Sequence, residues 1–324
     1  MKTAVDYKQR IESHIDSLGL ASRKPLNLYQ PMDYLLKLKG KRIRPTLVML
    51  SYEAVSGRPA EEVLNIAACV ELFHNFTLMH DDIMDRAPVR RGMPSVHIKW
   101  DENVAILSGD AMFTIATELV IEDKPALAAP LLKAYSEVAL GVCEGQMEDM
   151  DFATQTTVEI EDYIEMIRKK TAVLLGGCLQ LGAIAGGADE ETVLALKQFG
   201  ETLGIAFQLQ DDFMDAFPPE GFGKQVGGDI LEMKKTYLYL KALELADADT
   251  EARLRDLYES PHEDADAKVQ AVLEIFRQLE IPAHTESLIE ESFQQAIQLG
   301  EQLQAQMNME GLKSYLQVIA KRTI

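Results

Sequence analysis

Basic residues are scarce in this chain. Thirty-two lysines and arginines stand against 52 aspartates and glutamates, a formal charge of −20 at pH 7. Such an excess repels phosphate backbones and anionic lipid surfaces, so nucleic acid is excluded as a partner and any basic cluster stands out. Cysteine is scarcer still. Cys69, Cys143 and Cys178 occur singly, with no C-x-x-C pair, which excludes a disulfide framework and a zinc site and leaves three core thiols. The N-terminal MKTAVDYKQRIESHID lacks the apolar segment of a secretory leader. No apolar run is read as approaching the roughly 20 residues of a membrane span, so the expectation is a soluble, cytoplasmic protein without integral membrane association. Alternating strand patterns are few, and no low-complexity linker or shift in composition divides the chain.

What is present is helical periodicity. Val63, Ile66, Ala67, Val70, Leu72 and Phe73 form one apolar series, and Val193, Leu194, Leu196, Phe199 and Leu203 another. Apolar residues make up 47% of the chain and charged ones 26%, a globular balance that supports a sizeable core. Gly and Pro fall mainly between the periodic runs, which predicts about a dozen helices. The stretch 218–229, PPEGFGKQVGGD, reads as a mobile surface loop, and 259–266, ESPHEDAD, as a second exposed loop. The expected class is all-α: a single domain over 1–324, built as one large antiparallel helical bundle around a deep central cavity.

Two carboxylate triplets end apolar runs, Asp81-Asp82-Ile83-Met84-Asp85 after ELFHNFTLMH and Asp211-Asp212-Phe213-Met214-Asp215 after GIAFQLQ. Helical residues four apart share a face, so the first and last acid of each triplet lie together with the second beside them. Like charges about 6 Å apart repel by roughly 3 kcal/mol at an effective dielectric near 20, and such a patch calls for a cation. Hard oxygen ligands favour Mg²⁺, which takes one or two carboxylates and completes its shell with water and phosphate. One triplet alone reads as a solvated acidic face; two apolar-flanked copies on opposite halves of the chain read as parts of one metal site.

The scarce cations cluster too. Gly40-Lys41-Arg42-Ile43-Arg44-Pro45 and Arg90-Arg91-Gly92 join Lys169-Lys170-Thr171, Lys224 and Lys234-Lys235-Thr236. Arginine forks grip phosphate oxygens in pairs, lysine adds a compact charge, and glycine lets backbone approach an anion. With the aspartates, these fit two phosphate-rich ligands, one bridged by metal and one held by direct cation contacts.

In order along the chain, GKRIRP, His74 with DDIMD, RRG, LSGDAMF, GQMED, KKT, FQLQDDFMD and GKQVGGDILEMKKTYL resemble the trans-isoprenyl diphosphate synthases of the polyprenyl synthetase family. The resemblance implies an all-helical homodimer that condenses isopentenyl diphosphate with an allylic diphosphate (dimethylallyl, geranyl or farnesyl). It assigns Asp81, Asp85 and Asp211 to Mg²⁺, with Asp82, Asp212 and Asp215 completing or supporting the metal shells. Arg90, Lys170, Lys224 and Lys234 fall to the allylic diphosphate. Gly40, Lys41, Arg44, His74 and Arg91 fall to isopentenyl diphosphate. Thr171 and Gln208 match positions near the reacting carbons, and Gln146 and Asp149 match a block without a defined role. Lys39 and Met233 stand where the family commonly has glycine. The basic Lys321-Arg322 resembles the family's C-terminal tail.

An aromatic residue five positions before the first triplet, Phe76, with a small residue four before it, Thr77, resembles the geranylgeranyl type, with farnesyl diphosphate as the alternative product. Phe76 is expected to form part of the channel floor, and Met112 or Phe113 are the other candidates. A metal phosphohydrolase would use His74 and His80-Asp81 but leaves the second triplet and Arg90-Arg91 unexplained. A terpene cyclase needs no second diphosphate site, and a non-catalytic partner subunit would have eroded aspartates where both triplets here are complete.

Overall fold

Apolar residues at three- and four-residue spacing carry through into structure. The computed structural model describes residues 4–219, 226–259, 264–304 and 307–321; it is 81% helical with 1% strand, the all-α class expected from the sequence. The helices are α1 (Ala4–Ser17), α2 (Leu26–Lys37), α3 (Ile43–Ser56), α4 (Leu64–Met84), α5 (Val96–Lys99), α6 (Glu102–Glu122), α7 (Ala128–Phe152) and α8 (Ile160–Ile167). They continue as α9 (Val173–Gly186), α10 (Glu190–Ala216), α11 (Gly228–Leu231), α12 (Tyr237–Leu245), α13 (Ala248–Glu259), α14 (Ala265–Gln278), α15 (Ile281–Gln304) and α16 (Glu310–Lys321). Between α4 and α5, β1 (Val89–Arg90) and β2 (Met93–Pro94) pair antiparallel, with Arg90 opposite Met93.

The chain packs as two units: Met1–Glu137 with Gly177–Lys197 and Gln306–Tyr315, and Val138–Gly176 with Gln198–Ala305 and Leu316–Ile324. The first is organised round α4, which packs along α6 and against α3. Consecutive residues Ile66 to Phe73 of α4 are all buried, so this helix is enclosed on every side and not only along one stripe. Each fully buried Leu or Phe in such a run contributes about 1.5–3 kcal/mol. An enclosed helix tolerates a polar side chain only where a partner answers it, and α4 buries three: Glu71, Asn75 and Asp82. On the same unit Gly182 of α9 allows close approach to α3, where Ser51 Oγ donates to the Leu179 carbonyl at 2.6 Å.

The second unit centres on α8, α12, α14 and α15. Tyr163, Met166, Leu238, Tyr239, Tyr258, Val272 and Phe276 belong to its core, and the Tyr239 and Tyr258 rings stack with centroids 4.0 Å apart.

Three expectations change. α6 and Pro125–Phe152 are long and apolar enough to cross a membrane, with mean hydropathies of 1.7 and 1.3, so membrane-length apolar runs do exist. Only 39% and 33% of those windows are buried within the chain, which leaves apolar faces exposed on both. Cys69 and Cys178 are buried, but Cys143 is exposed on α7 and is no core thiol. The two expected loops are shorter than their composition suggested: Gly228 and Asp229 open α11, and Ala265 and Asp266 open α14, where Asp264 Oδ1 accepts from the Ala267 N–H at 3.0 Å. Residues 220–225 and 260–263 lie outside the described residues.

Candidate active site

The first triplet occupies the last turn of α4. Ala87 N–H bonds the Asp82 carbonyl at 2.9 Å and Arg86 N–H the Ile83 carbonyl at 3.2 Å, with Arg86 at φ 51°, which together make a Schellman stop. A helix C-terminus carries roughly half a negative charge. Asp81, Asp82 and Asp85 add three carboxylates to that end, so the field there favours a cation. Asp82 is 1% exposed. Its Oδ1 accepts from Arg90 Nε at 2.8 Å and from Arg90 Nη2, while its Oδ2 is buried without a hydrogen-bond partner. Arg90, expected on a diphosphate, is thus committed to Asp82 in this structure.

Arg91 and Gly92 are the two central residues of the hairpin turn, with φ 54° and 78°. Positive φ at both positions is the turn that suits strand twist, and an arginine held there carries backbone strain of order 1–3 kcal/mol, as residues at working sites often do. Its guanidinium lies against Gly40, where an added Cβ would come within 3.1 Å of Arg91 Nη1. Nearby, Arg44 Nη1 meets His74 Nε2 at 3.2 Å. Arginine can only donate, so Nε2 accepts and the ring proton sits on Nδ1. Desolvation and the charges of Arg44, Arg91, Arg90 and Arg42 hold the His74 pKa well below its usual range, which keeps the ring neutral. The structure therefore brings Gly40, Arg44, His74 and Arg91 together, with Lys41 exposed beside them.

The second triplet lies in the last two turns of α10, again at a helix C-terminus. Asp212 is buried and fully engaged: Tyr163 donates to Oδ2 at 2.5 Å and Gln208 Nε2 to Oδ1 at 2.7 Å. Gln208 in turn accepts from Thr171 Oγ1 at 2.9 Å, so one chain of hydrogen bonds links Thr171, Gln208, Asp212 and Tyr163. Burial pushes the Asp212 carboxyl up to about 7, and the Asp229 charge adds to the shift against the bonds from Tyr163 and Gln208. Asp215 Oδ2 accepts from the Asp229 N–H at 2.9 Å and its carbonyl from the Gly227 N–H at 2.8 Å, so Asp215 pins the start of α11. Burial also raises Asp229, to about 6, and Lys234 opposes that at 3.4 Å. Asp211 is exposed.

Lys170 and Thr171 stand on a π-helical turn, Arg168–Ala172, between α8 and α9. Such turns widen the helix and re-aim side chains. Glycines make room for this one: an added Cβ at Gly145 would lie 2.7 Å from the Lys169 carbonyl carbon, and one at Gly204 would lie 2.6 Å from Ala172 Cα. Lys170 Nζ donates to Asp149 Oδ2 at 2.6 Å, which gives Asp149 a definite place. Met233, ahead of Lys234, has φ 58°, the conformation glycine adopts most readily.

Upstream of the first triplet, Phe76 packs on Phe113 at 5.4 Å, Phe73 at 5.7 Å and His80 at 4.7 Å between ring centroids. Tyr135 of α7 closes the group, 6.0 Å from Phe113 and 5.6 Å from Phe73. Phe76 and Thr77 are half-buried, and Met112 is fully enclosed. The expected roles of Lys224 and of the Lys321-Arg322 side chains fall outside the described residues. Sequence reasoning missed Tyr163, Asp229, Arg42 and Tyr135. Arg42 and Asp229 had a signal, their places inside GKRIRP and GKQVGGDILEMKKTYL.

A divalent cation suits these donors. In the first unit the unanswered Asp82 Oδ2 and the acidic end of α4 set the demand, and in the second the acidic end of α10 does so by itself; among the described residues no three His, Cys, Asp or Glu side chains form a closed metal cage. An ion held here must draw other ligands from water or phosphate.

Comparison with known proteins gives the family. The chain is 42% identical over 250 residues to a geranylgeranyl diphosphate synthase of Methanosarcina mazei, covering 75% of this chain and 77% of that one. It is 36% identical over 293 residues to a geranylfarnesyl diphosphate synthase of Natronomonas pharaonis, covering 85% and 84%. The solved structure of a geranylgeranyl pyrophosphate synthase superposes with a TM-score of 0.90 at 42% identity, over 97% of this chain and 96% of the other. A family model, polyprenyl synthetase, matches residues 25–276, and on that span the chain belongs to the polyprenyl synthetase family.

Proposed function

We propose that this protein is a short-chain trans-prenyltransferase that joins isopentenyl diphosphate to an allylic diphosphate and releases a prenyl diphosphate one five-carbon unit longer, with C20 geranylgeranyl diphosphate as the main product. The observation that carries the reading is the pairing of two different anion sites in one unit: an acidic helix end at Asp81 to Asp85 that calls for metal, and a cationic group of Arg44, Arg91 and neutral His74. A diphosphate bridged by metal suits the first. A diphosphate gripped directly suits the second.

In this reading the whole chain works as one catalytic domain. Asp81, Asp85 and Asp211 are the metal ligands, and Lys170 and Lys234 contact the allylic diphosphate. Asp82 and Asp212, each tied by buried hydrogen bonds, support the carboxylates beside them. Asp215, which also holds α11, completes the second triplet. The family works with a divalent metal; Mg²⁺, when bound, withdraws charge from the allylic diphosphate as its C1–O bond ionises. Thr171 and Gln208 turn oxygen dipoles towards the carbocation so formed, and Gly40, Lys41, Arg44, His74 and Arg91 hold isopentenyl diphosphate so that its double bond attacks that carbon; the new cation then loses a proton to the departing inorganic diphosphate, which leaves as the second product. No nucleophilic side chain is required.

Exposed Ile106 and Leu107 on α6, and Leu132, Leu140 and Met147 on α7, are faces that water solvates poorly. A second copy of the chain covering them makes a homodimer in the cytoplasm.

One incubation tests the reaction: purified protein with Mg²⁺, isopentenyl diphosphate and dimethylallyl, geranyl or farnesyl diphosphate in turn, with products weighed by mass spectrometry. A C20 diphosphate is expected from each primer. Release of inorganic phosphate with no elongated product would overturn the reading.

A further inference from the structure

Arg42 stands between two residues given to isopentenyl diphosphate, Lys41 and Arg44, yet it does not itself reach for a substrate. It is 5% exposed, while Lys41 beside it is exposed. Its donors are already committed. Nη1 pairs with Glu71 of α4, Nη2 donates to the Leu36 carbonyl in the last turn of α2, and Nε lies 3.4 Å from Glu12 of α1. A guanidinium has five N–H donors in a rigid fork, and three directions of this one are taken.

The backbone of Arg42 is constrained as tightly as its side chain. It is the residue before α3, with φ 53° and ψ 40°, the left-handed region that side chains seldom enter. Its carbonyl accepts from Thr46 Oγ1 at 2.7 Å and from Thr46 N–H at 3.3 Å. One residue therefore ties the end of α2, the start of α3 and the middle of α4 to a single point.

That point sets the geometry of the isopentenyl pocket. Glu71 and His74 are three residues apart on α4 and so share a face. Arg42 meets the first and Arg44 the second, giving two successive rungs between the start of α3 and α4. Asn75 Nδ2 holds the Glu71 carboxylate from its own helix at 3.1 Å. The Arg42 guanidinium also limits the space at Gly40, where an added Cβ would meet Arg42 Nη1 at 3.4 Å and Arg91 Nη1 at 3.1 Å. Desolvation and the charges of Arg42, Arg90 and Arg44 lower the Arg91 pKa, and Glu71 opposes them. Glu71 is thus the counter-charge that lets several arginines gather round an anion site.

We propose that Arg42, locked by Glu71, is a positioning residue for the isopentenyl diphosphate site: it fixes where Lys41, Arg44 and the Gly40 backbone stand without touching the substrate. The inference rests on the isopentenyl pocket proposed above.

The test measures, for wild type, Arg42→Gln, Arg42→Lys, Glu71→Gln and Arg44→Gln, the KM for each substrate, kcat, and the Kd of isopentenyl diphosphate alone by calorimetry. Arg42→Gln and Glu71→Gln are expected to raise the isopentenyl KM and Kd about tenfold, as loss of a supporting residue does at other sites. The allylic KM is expected to stay within about twofold. Arg42→Lys, which keeps the charge and loses the fork, is expected to rescue little. A lower melting temperature with isopentenyl KM and Kd unchanged, or equal rises in both KM values, would overturn the inference. If Arg42→Gln does not fold, Glu71→Gln decides by the same criteria. Arg44→Gln separates the two claims: if it leaves the isopentenyl Kd unchanged, the pocket itself is wrongly placed, whereas a raised Kd there with no effect at Arg42 or Glu71 sinks the inference alone.

Discussion

The Tyr163 hydroxyl donates to Asp212 Oδ2 at 2.5 Å with both groups buried, so the middle carboxylate of the second triplet is oriented from α8. Asp212 has little freedom to follow a moving ion. Its part is to hold the end of α10 and to pass the hydrogen bonds of Gln208 and Thr171 to that support.

Tyr163→Phe removes this bond and little volume. Leaving a buried carboxylate oxygen unanswered costs about 1–3 kcal/mol, so a lower melting temperature is expected. Loss of a supporting partner typically weakens metal use about 10–100-fold, and the Mg²⁺ concentration for half-maximal turnover should rise within that range. A melting shift without any change in Mg²⁺ dependence would make Tyr163 a packing residue only.

Asp81→Ala and Asp211→Ala remove a carboxylate from a helix C-terminus, where the macrodipole already disfavours it. Turnover is expected to fall by roughly two orders of magnitude or more at saturating Mg²⁺, since metal stabilisation of departing charge is worth several kcal/mol. Both variants should stay folded, as thermal melting checks. Near-normal turnover in either variant would remove that aspartate from the metal shell.

Much of this was legible in the sequence because it is local. The i, i+4 spacing of Asp81 and Asp85 fixes their shared face, and apolar periodicity predicts the helices that carry both triplets. What the sequence withheld depends on where helices end and what crosses between them. That each triplet sits at a C-terminus, where it gains a dipole's negative charge, became visible only with the Schellman turn at Arg86 and the end of α10 at Ala216. Arg90 reads as a phosphate ligand from RRG, but its fork closes on Asp82, eight residues earlier, because the hairpin folds back. Tyr163 and Asp212 are 49 residues apart and Phe73 and Tyr135 are 62, separations that no periodicity spans.

Gly145 is a close-approach glycine, since an added Cβ would collide with the Lys170 backbone N and lie 2.7 Å from the Lys169 carbonyl carbon, in the π-helical turn that carries Lys170 and Thr171. Backbone cannot rotate aside as a side chain can. Gly145→Ala is expected to cost about 1–3 kcal/mol of stability and to lower turnover by displacing Lys170. Circular-dichroism melting and initial rates check this. Full activity would mean that the turn shifts without harm.

His74 gives a dependence on pH. Its folded pKa lies well below the value near 6.5 of an unfolded histidine, chiefly through desolvation and then through Arg44. The unfolded chain therefore takes up a proton that the folded chain refuses, and stability present above pH 6.5 is lost as pH falls towards the folded pKa. His74→Gln has no proton to refuse. Its melting temperature relative to wild type should stay level from pH 8 to about pH 6.5 and rise from there to pH 5. A difference that stays flat over that range would mean that His74 titrates normally.

Product length offers the most specific test of the apolar region above the first triplet. Phe76 is half-buried and lies 5.4 Å from Phe113, with Phe73 and Tyr135 packed beyond. Replacing a phenyl ring by a methyl group opens space, but the next ring still bars most of the way. Phe76→Ala is expected to shift part of the product from C20 to C25, and Phe76→Ala with Phe113→Ala to extend it further than either change alone. Each core ring lost costs about 3–5 kcal/mol at full burial, so the half-buried Phe76 should cost less and the single variant should remain folded. Mass spectra of products from farnesyl diphosphate decide the matter. An unchanged distribution in the double variant would place the floor at a residue outside this aromatic group, with the fully enclosed Met112 as the first to examine.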